Sequence, residues 1–186
     1  MKLGVLAAGL LLAGPLHAQT EESRTLELDG GGRVTYTLRT HPADAHAARP
    51  AGELAPTSAL DAAKLLNLHL SAGDIEEAAL LSNAPRRRFE VLRDYRESVG
   101  EDEFKRVFAE YFFPENRLLA EIAIDRHRLL VWELKGDAKA DSASSRLAGQ
   151  YFVEVEGRYL IDDVPNDQRT RLRWILEAYR SGRLPR

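Results

Sequence analysis

Residues 118–134 read LLAEIAIDRHRLLVWEL, and this stretch decides the fold class. Apolar side chains recur at every second position of its first half, which is the spacing of residues on one face of a β-strand. The polar residues 125–128 then predict a turn, and the apolar run 129–134 predicts a returning strand. We therefore expect an antiparallel hairpin in which one strand face carries Leu118, Ala120, Ile122 and Ile124.

The sequence that follows extends this sheet and then turns helical. Residues 146–155 predict a third strand, Glu156-Gly157 supplies a tight turn, and residues 158–161 predict a short last strand. After Pro165 the apolar residues return at helical spacing, which predicts a C-terminal helix with one buried stripe. That stripe comprises Leu172, Ile175, Leu176 and Tyr179.

Helical spacing dominates the sequence before the sheet. Four helices are predicted between Ser58 and Pro114, with breaks at Gly73, near Pro85 and at Gly100. Helices followed by an antiparallel meander predict an α+β fold, in which the helices pack over one face of a curved antiparallel sheet.

The N-terminal part of the chain carries two further segments. Residues 25–39 place a Gly-rich turn between two alternating arms, which predicts a β-hairpin, and the Pro- and Ala-rich residues 40–57 predict a linker. We therefore divide the chain into a segment 1–18, a hairpin and linker over 19–57, and a main domain over 58–186 that includes the C-terminal helix.

Segment 1–18 has the features of a secretory signal peptide. Lys2 precedes the apolar run 3–13, and Ala18 predicts cleavage before Gln19. We therefore expect a periplasmic or secreted protein. An uncleaved anchor is the alternative, although the apolar run is short for a bilayer span.

The composition excludes several classes of protein. The chain has no cysteine, which excludes disulfide scaffolds, zinc–thiolate sites, iron–sulfur clusters, a Cys nucleophile and a lipoprotein anchor. Lys and Arg number 26 against 29 Asp and Glu, so the basic excess typical of nucleic-acid binding is missing. The sequence contains no nucleotide-binding or zinc-protease motif, and we assign no metal and no cofactor.

Three passages resemble the NTF2-like superfamily, which includes SnoaL-like and cystatin-like members with a cone-shaped fold. They are AKLLNLHLSAGD at 63–74, the helical stretch through Tyr95 and Phe104 to Tyr111, and QYFVE at 150–154 with GRYLIDD at 157–163. The resemblance covers residues 58 to about 165 and identifies the chain as similar to an exported member of this superfamily. It implies a pocket between the helices and the sheet, in which the enzymes of the superfamily place an acid or a His. The hairpin 25–39 and the helix after Pro165 depart from the superfamily pattern.

The apolar faces of the predicted strands argue against an enzyme. If these faces point inward, they contain no carboxylate and no His, so we assign no catalytic residue and favour a non-enzymatic role. The faces taken as inward continue from the first strand with Leu130, Trp132, Leu134, Leu147, Gly149, Tyr151, Val153, Tyr159 and Ile161. The residues we expect at a pocket are Tyr151, Trp132, Tyr111 and His69. His127 is expected in a solvated turn, and Asp162-Asp163 at the end of the last strand.

The C-terminal helix carries a basic surface with one tryptophan. Trp174 lies opposite the apolar stripe on a helical wheel, so either the N-terminal hairpin covers it or it stands exposed among arginines. We expect partner binding through Trp174, Arg171, Arg173 and Arg180. The leading hypothesis is an exported, non-enzymatic NTF2-like domain that binds a partner protein or forms a homodimer. The alternatives are a small hydrophobic ligand bound by the cone, with or without SnoaL-like catalysis, and an anionic membrane surface bound by the tail.

Overall fold

The computed structural model describes residues 21–135 and 145–185. The predicted signal peptide 1–18 and nearly all of the loop between the second and third strands of the meander lie outside the described residues. Within these residues, five α-helices and six strands follow one another in the order and class that the sequence predicts. Their bounds are β1 Glu21–Glu27, β2 Arg33–Arg39, α1 Ala59–Ala72, α2 Ile75–Leu80, α3 Pro85–Val99, α4 Glu101–Ala109, β3 Arg117–Ile124, β4 His127–Lys135, β5 Ser145–Val155, β6 Arg158–Ile161 and α5 Asp167–Arg180.

Local chemistry sets the helix ends. The Ser58 hydroxyl caps α1 by accepting a hydrogen bond from the Asp61 backbone N–H at 3.0 Å. Gly73 ends α1 with a left-handed φ of 89°, a conformation that side chains disfavour. Asp74 precedes α2 but makes no side-chain cap bond to it.

The six strands form one open, curved antiparallel sheet in the order β1-β2-β3-β4-β5-β6. The N-terminal hairpin belongs to this sheet, because β2 pairs with β3 through Thr37 opposite Ala123 and Arg39 opposite Glu121. At the other end, β6 pairs only with residues 152–155 of the longer β5. Residues 145–151 of β5 therefore have no outer neighbouring strand in the part of the chain that the structure describes.

Helices cover both faces of the sheet. Helices α1–α4 pack on one face, as expected, around a cluster that includes Phe104 and Trp132. Helix α5 packs on the opposite face, where its apolar stripe meets β3, β4 and the hairpin. The hairpin contributes Leu26, Val34, Tyr36 and Leu38 to this second cluster.

The predicted inward face is correct for two strands and wrong for the other two. Leu130, Trp132 and Leu134 of β4 and Tyr159 and Ile161 of β6 do face α1–α4. In β3 a bulge after Leu118 shifts the register, so Ala120, Ile122 and Ile124 face α5 instead. In β5 the prediction is inverted, since Ala148 and Phe152 face α1–α4 while Leu147, Gly149 and Tyr151 face α5.

None of the helices in the described ranges combines the length and the apolar character needed to cross a bilayer.

Candidate functional site

A cavity of about 290 Å³ lies between α1, the end of α4 and residues 149–152 of β5. It begins where β6 stops covering β5, so the sheet edge forms part of its wall. Apolar side chains from α1 and α4 form one side, and polar groups from α3, β5 and α5 form the other. The lining comprises Leu66, Leu70, Arg88, Phe108, Tyr111, Gly149, Gln150, Tyr151, Phe152, Ile161, Asp162 and Arg169.

Gln150 lines this cavity and carries one polar side-chain atom without a partner in the described part of the chain. Its Nε2 donates to Asn67 Oδ1 at 3.0 Å, and Asn67 is only 1% exposed. Its Oε1 is buried and has no hydrogen-bond partner among the described residues. Exchanging the two atoms of the amide would leave the nitrogen unpaired instead, so either orientation leaves one group open. A buried polar atom without a partner costs about 1–3 kcal/mol of stability.

Tyr111 and Tyr151, two of the four pocket candidates, also line this cavity. Burial raises the pKa of Tyr111 to about 12, so its phenol stays protonated at physiological pH. Burial also raises the pKa of Tyr151, against the opposing effect of nearby arginines. Both phenols are therefore neutral groups that can donate or accept a hydrogen bond.

The other two pocket candidates lie outside the lining. Trp132 packs edge-on against Tyr111, with ring centroids 5.4 Å apart, and stands behind it. Its indole Nε1 is buried and unpaired among the described residues. His69 lies half-buried in the last turn of α1 and is absent from the lining.

A second polar cluster centres on Glu121, which lies opposite Leu130 and therefore on the α1–α4 face. This position corrects the expectation that the face holds no carboxylate. The carboxylate is surrounded by bases, with His41 Nε2 at 2.7 Å, Arg128 Nε at 3.6 Å and Arg39 Nη1 at 3.7 Å. A carboxylate paired in this way fastens the linker to the sheet rather than acting as a free base.

His127 does not lie in a solvated turn. It opens β4, is 7% exposed, and its Nδ1 lies 2.9 Å from Asp162 Oδ2. Asp162 is itself buried and accepts further bonds from Asn83 Nδ2 at 3.0 Å and from Asn166 Nδ2 at 3.0 Å. The prediction failed because strand β4 begins at His127, so the side chain belongs to the sheet rather than to the turn before it.

Trp174 is 42% exposed, which decides between the two possibilities left open by the sequence. The hairpin turn lies beside it without covering it, and the two enclose a cleft of about 450 Å³ with Leu28 and Arg183. Arg171, Arg173 and Arg180 are exposed on the same helix. Arg180 donates to Glu177 at 2.7 Å and to the Leu147 carbonyl at 3.2 Å, so part of its charge is engaged.

No protein-family model matches the chain, and neither a curated protein nor a solved structure is significantly similar to it. Function must therefore be argued from the cavity and the surface alone. Across residues 21–135 and 145–185, no group of three or more His, Asp or Glu side chains is placed to hold a metal ion.

The cavity residues that sequence reasoning missed are Gln150, Arg88 and Arg169. They come from β5, α3 and α5, and no local spacing in the sequence connects them. The arrangement combines an apolar wall with amide, phenol and guanidinium groups, a combination typical of small-molecule sites.

Proposed function

We propose that the protein binds a small molecule in the cavity between α1, α4 and β5. The observation that carries the proposal is the lining of this cavity, where apolar side chains from α1 and α4 face amide, phenol and guanidinium groups. The polar lining favours binding over proton transfer, because the Asp162 carboxylate already accepts bonds on both oxygens. This binding role corresponds to the alternative hypothesis from the sequence, in which the cone holds a ligand pocket.

The fold supports a relationship to the NTF2-like superfamily as part of this proposal. Helices α1–α4 precede the meander β3–β6, and the cavity lies at the edge of the sheet beside α1 and α4. The hairpin and α5 are additions on the opposite face, from which Arg169 of α5 reaches the lining of this cavity. Export remains a prediction from segment 1–18.

Native mass spectrometry of protein purified gently from its own host tests the proposal. We expect a one-to-one adduct of a few hundred daltons, the size that such a cavity accommodates. Leu66→Phe enlarges a side chain in the cavity wall and should reduce the fraction carrying the adduct. Leu80→Phe is the matched control, because Leu80 is 62% exposed on α2 and remote from the cavity.

Two outcomes would contradict ligand binding. One is a bare protein mass in every preparation. The other is an adduct that Leu66→Phe and Leu80→Phe carry equally, which would place the ligand elsewhere.

A second candidate function is self-association through the Trp174 surface, which we define as Trp174, Leu28, Arg171 and Arg173. Solvent exposure of a tryptophan beside an apolar cleft favours it. The cleft beside this surface adds negative charges to its arginines, since Asp29 and Glu177 line the cleft together with Trp174. A surface with both signs suits pairing with a second copy of itself about a two-fold axis.

A further inference from the structure

A second, smaller cleft adjoins the ligand cavity and is strongly basic. Its volume is about 210 Å³, and it is lined by Arg87, Arg88, Val91, Asp163 and Arg169. Three arginines against one aspartate leave an excess of two positive charges in this lining. Arg88 and Arg169 also line the larger cavity, so the two spaces meet at these side chains.

Arg88 is fixed in place by Asp163. Its Nε donates to Asp163 Oδ2 at 2.8 Å and its Nη2 to Oδ1 at 2.6 Å, a bidentate pair. The Ser82 hydroxyl donates to the same carboxylate at 2.6 Å. The remaining nitrogen of Arg88, Nη1, has no bond in the described part of the chain and is available to a ligand.

Arg169 has no carboxylate partner within ion-pair distance in the described ranges. Its guanidinium lies over the Tyr151 ring, 5.4 Å from the centroid. This cation–π contact does not use the N–H groups as donors to an acceptor, so they can bind a ligand. A planar fork of donors beside a second arginine matches a carboxylate or a phosphate.

Asp162 also lines the larger cavity, but its carboxylate does not offset the preference of Arg88 and Arg169 for an anionic group. Its oxygens accept from His127, Asn83 and Asn166, so a ligand need not bring a cation to satisfy it. Deeper in the cavity, Leu66, Leu70 and Phe108 provide an apolar wall.

We propose that the ligand is a single-chain anionic amphiphile. Its apolar body occupies the larger cavity, and its carboxylate or phosphate head lies between Arg88 and Arg169. This inference rests on the proposed function, because it names the ligand class of the same site.

Calorimetric titration with sodium decanoate, and with 1-decanol as its neutral counterpart, tests the inference. The titrations use a Trp174→Phe background, which leaves Trp132 as the only tryptophan. Because Trp132 contacts Tyr111, its fluorescence emission gives a second readout of binding in the cavity beside the heat. We expect decanoate to bind about tenfold more tightly than decanol, since a charge-assisted bond is worth at least that factor. Titration with decyl phosphate shows whether the site prefers a carboxylate or a phosphate head group. Titration with inorganic phosphate shows whether the head group binds without the alkyl chain.

Arg169→Gln should remove the preference for decanoate and leave decanol binding unchanged, while Arg169→Lys should retain part of it. Arg86→Gln is the matched control, because the Arg86 side chain is 94% exposed and lines neither space. Two results together would overturn the proposal of an anionic head group. Decanoate and decanol would bind with equal affinity, and the Arg169→Gln variant would behave like Arg86→Gln. The cavity would then be a site for a neutral ligand. Binding of neither compound would overturn the amphiphile, and the native mass of the host-purified protein then decides separately whether the cavity holds another ligand.

Discussion

Asp162 is a residue at which three parts of the fold meet. It accepts hydrogen bonds from His127 at the start of β4, from Asn83 after α2, and from Asn166, which caps α5. The side-chain oxygen of Asn83 also accepts a hydrogen bond from the backbone N–H of the next residue, Asp163, at 2.8 Å. Because a buried carboxylate is stable only when donors surround it, this network ties the two helical layers to the sheet.

Replacing Asp162 should therefore cost more than the loss of one hydrogen bond. We expect Asp162→Ala to lower the free energy of unfolding by about 2–4 kcal/mol, because the buried His127 and the half-buried Asn83 and Asn166 lose their shared acceptor. Urea denaturation measures the change. Asp167→Ala, at an exposed position in the first turn of α5, is the control and should cost about 0.5 kcal/mol through the helix dipole alone. Equal losses in the two variants would show that the network contributes little.

At the scale of elements, Gly149 sets how closely α5 approaches the sheet. A Cβ at this position would lie 2.6 Å from Leu176 Cδ2 and 3.0 Å from Leu129 Cδ1. Any side chain on β5 here would therefore push α5 away from β4, and glycine is required by the packing rather than by its backbone angles.

Gly149→Ala should consequently destabilise the protein by about 1–3 kcal/mol through overpacking. Because Arg169 lies on α5, the same variant should also weaken binding at the cleft that Arg169 lines. Thermal unfolding and decanoate titration report the two effects. Gly52→Ala is the control, since a Cβ there meets nothing within 4 Å. A Gly149→Ala variant as stable as Gly52→Ala would show that α5 shifts without cost.

The elements were predictable from sequence because short-range chemistry determines them. Ser58, Gly73 and Gly100 mark helix ends through capping and backbone angles, and these signals need no tertiary information. The strand faces were less predictable, because β4 is buried on both sides: Leu129, Leu130 and Val131 are all inaccessible to solvent. When both faces are apolar, alternation no longer tells which face meets which helix, and a one-residue bulge in β3 reverses the answer.

At the scale of the whole molecule, the sheet separates two helical layers that serve different proposed roles. Helices α1, α3 and α4 contribute most of the helical lining of the ligand cavity, to which α5 adds Arg169, whereas α5 and the hairpin form a second core and present the Trp174 surface. Tyr111 and Tyr151 were named from the sequence, but the strand pattern placed Tyr151 on the wrong face of β5. Arg88 and Arg169 could not be predicted, since only the packing of α3 and α5 around the sheet edge brings them to one opening.

The Trp174 surface makes a prediction about assembly that is independent of the cavity. If two copies pair through it, Trp174→Ala and Arg171→Ala should each lower the dimer fraction in sedimentation velocity runs, while the far-UV circular dichroism stays unchanged. We expect Trp174→Ala to raise the dimer dissociation constant about tenfold or more, because a buried tryptophan anchor is typically worth at least 2 kcal/mol. Val91→Ala is the matched control, as Val91 is 53% exposed on α3, away from this surface. A protein that sediments as a monomer at every concentration, or a Trp174→Ala variant that dimerises like Val91→Ala, would contradict self-association through α5 and leave the cavity as the functional part of the fold.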